Sequence, residues 1–370
     1  MAKHSTTSTP IPDTVWLGRG RHAGPEPELD ARRNLIALKA AGVLDDYVEL
    51  DPVEAARSSA LYPRDESADP GPSARLVFEA RWRVDEDVTV RAQLTTFAPG
   101  HRRKDAQGIG WVLAAEAERT WQPHWPSPAT MFWPDSDLVP WDHDTAPGLR
   151  VRAANHLPKD DDELRALLRE CAQDGWYIHV LVHEAMTPEA AGQQPVTRFL
   201  PPSLRHRVVE HRADPEQVNT ADFAAKKELK VRMPRGGAVV LPGSPQPRGY
   251  EAERFSVRNV FLDGSEPTEL INRIQDYAAL PLPLPADAEP ALARLRQGWH
   301  LLTPDEELAH AKAMVERYAA ELEAMTKSRD QYRAAAESAQ AALPAGTSVD
   351  GGPKPSALAP IKALGRFRNK

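Results

Sequence analysis

Between residues 308 and 343 the seam positions recur in steps of three and four residues, alternating without a slip: Leu308, Ala311, Val315, Tyr318, Leu322, Met325, Arg329, Tyr332, Ala336, Ala339 and Leu343. A mean period of 3.5 keeps one narrow stripe of a helix turned toward a single partner, which is the condition for knobs-into-holes packing. Thr303 supplies an N-cap, Pro304 suits the first helical position, Glu306 completes a capping box, and Pro344 ends the run. The spacing predicts a coiled-coil-like helix over 304–343, about 60 Å long at roughly 1.5 Å per residue.

Such a length exceeds what a small domain can bury along its side, so the stripe calls for a partner. A second copy or another helical protein would serve. An antiparallel hairpin with 288–300 as its short arm would serve as well, and the region 286–343 is read as hairpin or coiled coil. Ala311, Ala336 and Ala339 make the seam shallow, while Arg329 either sets register or faces solvent.

The remaining chain reads as an α+β body: a mixed sheet with flanking helices and proline-rich loops. Proline supplies 35 of 370 residues, close to twice its background of about 5%. Fixed φ and the missing donor favour short elements and ordered coil. Residues 1–27 read as a flexible arm. An α+β domain follows over 28–200, then a helix-helix-strand subdomain over 201–285. Residues 344–370 carry Lys354, Lys362, Arg366, Arg368 and Lys370 against Asp350 alone, a composition that reads as a disordered basic tail.

Within the body, 28–41 reads as a helix stopped by Gly42. Alternation through Leu76, Phe78, Ala80 and Trp82, then Val90, Ala92 and Leu94, predicts strands over 74–84 and 88–97. Asp85-Glu86-Asp87 suits the hairpin loop between them, and 109–117 fits a strand or a short helix. Trp121, Trp125, Trp133 and Trp141 lie among prolines over 119–147, an ordered loop packed by its own rings. A strand over 149–157, a helix opened by Asp160-Asp161-Asp162-Glu163 and stopped at Gly175, and a strand over 176–184 make a βαβ-like unit. The crossover is short enough for another strand to lie between the two. Downstream, helices over 203–212 and 214–229, a strand over 238–241, a strand over 255–262, a helix over 266–278 and a linker over 281–285 complete the reading.

The formal net charge of −7 disfavours broad, non-specific nucleic-acid binding. A single cysteine, Cys171, excludes an intramolecular disulfide, and on its helix it reads as a small buried hydrophobe. One thiol fits a reducing cytoplasm. The N-terminus lacks the apolar segment of a secretory signal, and no run is long enough to span a bilayer. The Ala, Arg and Pro bias points to a GC-rich, bacterial genome.

Chemistry-bearing groupings are sparse. His156, His179 and His183 are the candidate metal ligands: period 2 places His179 and His183 on one strand face, and His156 on a neighbouring strand makes a third imidazole. Asp135, Asp137, Asp142, His143 and Asp144 crowd the Trp-rich loop without calcium-loop spacing. Over 203–235, Arg205, Arg207, Arg212, Lys226, Lys227, Lys230, Arg232 and Arg235 sit on a pattern with the outline of a winged helix-turn-helix. The chain holds no Gly-x-Ser-x-Gly elbow, Walker lysine motif or His-Glu-x-x-His, so no cofactor is expected. The leading expectation is a non-catalytic assembly, scaffold or adaptor protein, homo-oligomeric or bound to a helical partner. DNA binding through the basic helix pair and tail, and a metal-dependent hydrolase, are the alternatives. No membrane association is expected.

Overall fold

A computed structural model describes residues 9–51, 74–98, 108–135, 149–183, 194–258, 260, 267–285, 288–302 and 304–341. The chain divides into two units at Leu301 and Leu302. The first is α+β, built on two five-stranded sheets; the second contributes a long helix.

The first sheet comprises β1 (Val15–His22), β2 (Asp46–Leu50), β3 (Ala74–Val84), β4 (Val88–Phe97) and β5 (Ile109–Ala117), in the order β1-β5-β4-β3-β2 and antiparallel throughout. The alternation in 74–84 and 88–97 therefore marks a real hairpin, and 109–117 is a strand. Val84 pairs with Val88 across a three-residue loop in which Asp85 and Glu86 adopt left-handed φ values of 47° and 67°. The Asp85 carboxylate anchors that loop by accepting from the Trp125 indole at 2.7 Å. Helix α1 (Pro27–Ala40) buries Leu35 fully and Leu38 in part. It ends in the geometry that Gly42 permits, with φ at 71° and its N–H on the Lys39 carbonyl.

Residues 9–27 are not a flexible arm, and residues 1–8 lie outside the described residues. Val15, Trp16 and Leu17 are all buried in β1, an edge strand covered on both faces. Two glycines and two arginines interrupt the alternation there. Gly18 has a structural cause: a Cβ at that position would stand 2.6 Å from the Trp16 ring. That ring lies along the strand and sends its N–H to the Ser203 carbonyl at 2.8 Å.

The second sheet is mixed. Its strands are β6 (Ala154–His156), β7 (Ile178–His183), β8 (Val208–Ala213), β9 (Ala238–Val240) and β10 (Ser256–Val257), ordered β10-β9-β7-β8-β6. β8 lies between β6 and β7, parallel to both, so the βαβ-like unit does have a strand inserted between its two strands. The helix expected over 203–212 is replaced by a 3₁₀ turn, Pro202–Leu204, followed by β8. Glu210, His211 and Arg212 give that stretch a polar look, yet all three are buried. Glu210 accepts from the Val196 N–H and from Arg212, whose guanidinium also donates to the Gln194 carbonyl. Internal pairing makes those charges tolerable in a core strand.

The Trp-rich loop carries a short helix, α2 (Ala129–Phe132). Helices α3 (Asp161–Gln173), α4 (Val218–Leu229) and α5 (Thr268–Ala278) pack with the second sheet around Leu168, Val180, Val240 and Ile274. Asp160 caps α3, accepting from the N–H groups of Asp162 and Glu163 at 3.0 Å. α1 and the Trp-rich loop cover one face of the first sheet, where Trp133 meets Trp111 at 5.5 Å. The loop is thus packed on the sheet as well as on its own rings; Trp121 and Trp125 make the internal contact. A third cluster joins the sheets: Val15, Leu17 and Val112 meet Val209, Trp176 and α6 (Glu289–Gln297). Ala291, Leu292 and Leu295 of α6 are buried there, so its apolar face is occupied within the first unit.

In the second unit α7 (Pro304–Ala341) is continuous over 38 residues, about 57 Å at roughly 1.5 Å per residue. Ion pairs Arg317–Glu321 and Arg333–Glu337 lie at helical spacing on its surface. Thr303, Leu343, the break at 63–73, Trp141 and the basic tail lie outside the described residues. No helix among the described residues is long and apolar enough to cross a membrane.

Candidate functional site

The last turn of α3, a tight turn and the first residues of β7 bring Cys171, Asp174 and His179 together within nine positions of sequence. Cys171 belongs to the apolar face of α3 with Leu164 and Leu168. Asp174 caps the helix C-terminus, and the chain turns through Gly175 and Trp176. The neighbouring strand then supplies His211. In the β7–β8 register Leu181 stands opposite His211 and His179 opposite Val209, so the two histidines are offset by one pleat on the same face.

Three donor atoms converge. His179 Nδ1 lies 3.0 Å from His211 Nε2, and Cys171 Sγ lies 3.4 Å from the same nitrogen. The Cys171, His179 and His211 donor atoms are all within 4.8 Å of one another. The two rings stack at 5.2 Å with their planes 26° apart. All three residues are buried, none more than 4% exposed. Behind His179, its Nε2 faces Asp174 Oδ2 at 3.6 Å. Asp174 in turn accepts from Arg19 of β1 at 3.0 Å and from the Trp176 N–H at 3.1 Å. The Arg19 guanidinium lies over the Trp176 ring.

The electrostatics follow from this packing. Burial pushes the Cys171 thiol up, but the His179 and His211 imidazoles outweigh burial and the net shift is downward. Burial opposes a charged His179; Cys171 and Asp174 overcome it and hold that ring well above its ordinary value. Asp174 resists burial through His179 and Arg19 and sits below the usual carboxylate range. The cluster pairs a thiol shifted toward thiolate with an imidazole shifted toward imidazolium, and Asp174 backs the imidazole.

The residues singled out by sequence fall in different places. His179 belongs to the cluster; His156 and His183 do not. His156 is exposed and pairs with Asp214 at 3.2 Å, and His183 Nδ1 accepts from the Gly236 N–H at 3.2 Å. The basic segment also divides. Arg212 is buried against Glu210, and Arg205 donates to the Leu200 carbonyl. Burial depresses Arg207 to about 10. Lys226, Lys227, Lys230 and Arg232 are exposed on α4 and just after it. With 208–213 a strand, the helix pair of a winged helix-turn-helix is not formed. Asp135 is held by His206, Arg152 and Arg205, and His206 and Arg152 drive its carboxyl far below its ordinary value despite burial; Asp137, Asp142, His143 and Asp144 lie outside the described residues.

Seam residues form the second candidate surface. Leu308, Val315, Tyr318, Leu322, Met325 and Tyr332 are between 54% and 76% exposed. Every large apolar side chain exposed on α7 is a seam position. Compared with known proteins, the chain matches no family model, no curated protein and no solved structure.

Proposed function

We infer that this protein is an assembly protein that associates with a second copy of itself through α7. The observation that carries the reading is the seam: six large apolar side chains on one 3.5-residue stripe, each more than half exposed. Isolated apolar residues are common on surfaces, but a continuous stripe of them marks an interaction face. Removing apolar area from water stabilises by roughly 25 cal/mol per Å², and a two-stranded seam buries the same stripe on both chains. Arg329 lies at a seam position, where a charge costs stability and helps set register.

Light scattering on the full chain and on Leu322→Glu/Met325→Glu tests this reading. The parent protein is expected to give a dimeric or larger mass at micromolar concentration, and the variant a monomeric mass with an unchanged circular dichroism spectrum of the body. A monomeric parent at all concentrations would remove the proposal.

A further inference from the structure

Independently of α7, we propose that Cys171, His179 and His211 bind a single Zn²⁺ ion through Sγ, Nδ1 and Nε2. Zn²⁺ bonds nitrogen at about 2.0–2.1 Å and sulphur at about 2.3 Å, which sets tetrahedral neighbours about 3.3 Å apart for two nitrogens and about 3.6 Å for sulphur and nitrogen. The observed separations are 3.0 Å and 3.4 Å, so two edges of a tetrahedral face are within roughly 0.2–0.3 Å of the zinc geometry, and all three donor atoms lie within 4.8 Å of one another.

Three further features point the same way. First, the donors come from separate elements that share one core: the end of α3 and two adjacent parallel strands. Second, His179 turns its far nitrogen toward Asp174, the carboxylate–histidine arrangement that orients metal-bound imidazoles. The orienting shell continues to Arg19 and Trp176. Third, Cys171, His179 and His211 are all buried, so the chain's one thiol and two imidazoles meet away from bulk water. On binding, the proton held between Cys171 and His179 Nδ1 leaves to solvent, the thiolate and that nitrogen bond the metal, and His179 keeps its other proton on Nε2 toward Asp174. The protein supplies three ligands, and water takes the fourth position.

The single cysteine makes the test direct, because any thiolate–metal absorption has one source. The full-length protein is stripped with chelator, then titrated with Zn²⁺ and, separately, with Co²⁺. The expected result is about one tightly held equivalent per chain and a near-ultraviolet sulphur-to-cobalt charge-transfer band that Zn²⁺ abolishes. Cys171→Ser should remove the band. His211→Gln should weaken binding about a hundredfold and Asp174→Asn roughly tenfold, the size of an outer-shell effect. His156→Ala should match the parent. A parent protein that shows no charge-transfer band overturns the proposal without any variant, as does a band that survives Cys171→Ser. Affinity in Asp174→Asn equal to the parent's would remove Asp174 from its orienting role.

Discussion

α3 and α7 both carry an apolar stripe, and the two helices resolve it in opposite ways. α3 has 13 residues and buries Leu164, Leu168 and Cys171 against the second sheet. α7 has 38 residues and leaves Leu322, Met325 and Tyr332 exposed. Periodicity states only that a face needs covering. Whether the cover lies in the same chain depends on what the rest of the fold places beside it. α3 is tied by short connections to β6 and β7 and has a sheet to lie on. For α7, the cover is proposed to be another copy.

The comparison can be broken most forcefully at Leu168. Truncating this fully buried side chain should destabilise the body by about 2–5 kcal/mol, because transfer and cavity terms add. Urea unfolding followed by tryptophan fluorescence measures it, and a loss under about 1 kcal/mol would mean that the α3 face is not packed as described. Acid sensitivity probes a second buried side chain, this one polar. His22 is fully buried with Nδ1 accepting from the Gly24 N–H at 3.0 Å. Burial, only partly countered by Asp30, lowers it from 6.5 to about 4. Its folded value lies below its unfolded one, so the unfolded chain takes up the proton first. Stability present above pH 6.5 is then lost as pH falls through 4. In His22→Gln the drop in urea midpoint between pH 7 and pH 4.5 should shrink. An unchanged drop in His22→Gln would count against a neutral buried imidazole.

A smaller effect is expected at the Asp160 cap, whose carboxylate serves two backbone donors. Asp160→Ala should cost about 1 kcal/mol, read in the same unfolding experiment. The smallest belongs to the seam: Leu322→Ala should leave the unfolding of the body within about 0.5 kcal/mol of the parent, because the side chain is exposed, yet it should weaken association. A large loss of body stability would place Leu322 in a core.

Much of the fold was legible where partners are local. β3 and β4 show in the alternation because an antiparallel hairpin puts one face in the core and pairs neighbours in sequence. β1 escaped because Gly18, Arg19, Gly20 and Arg21 hide the pattern, and its partner β5 is almost a hundred residues away. β8 was read as part of a helix because Ser203 after Pro201 and Pro202 looks like an N-cap; only their long-range partners make Glu210, His211 and Arg212 core residues. The same error hid the candidate site. His179 stood out, but His211 joins it only when 208–213 is a strand parallel to β7. A usable signal was present: a cysteine in the last turn of a helix, an aspartate in the turn and a histidine at the start of the next strand, within nine residues. That spacing folds the three side chains onto one another.

Hydrogen–deuterium exchange of the full chain over a hundredfold dilution series tests the central claim most directly. Self-association through α7 predicts that amides in 308–339 are protected at high concentration and lose protection on dilution, while those of β4 exchange at one rate throughout. Protection in α7 that does not change with concentration would contradict it.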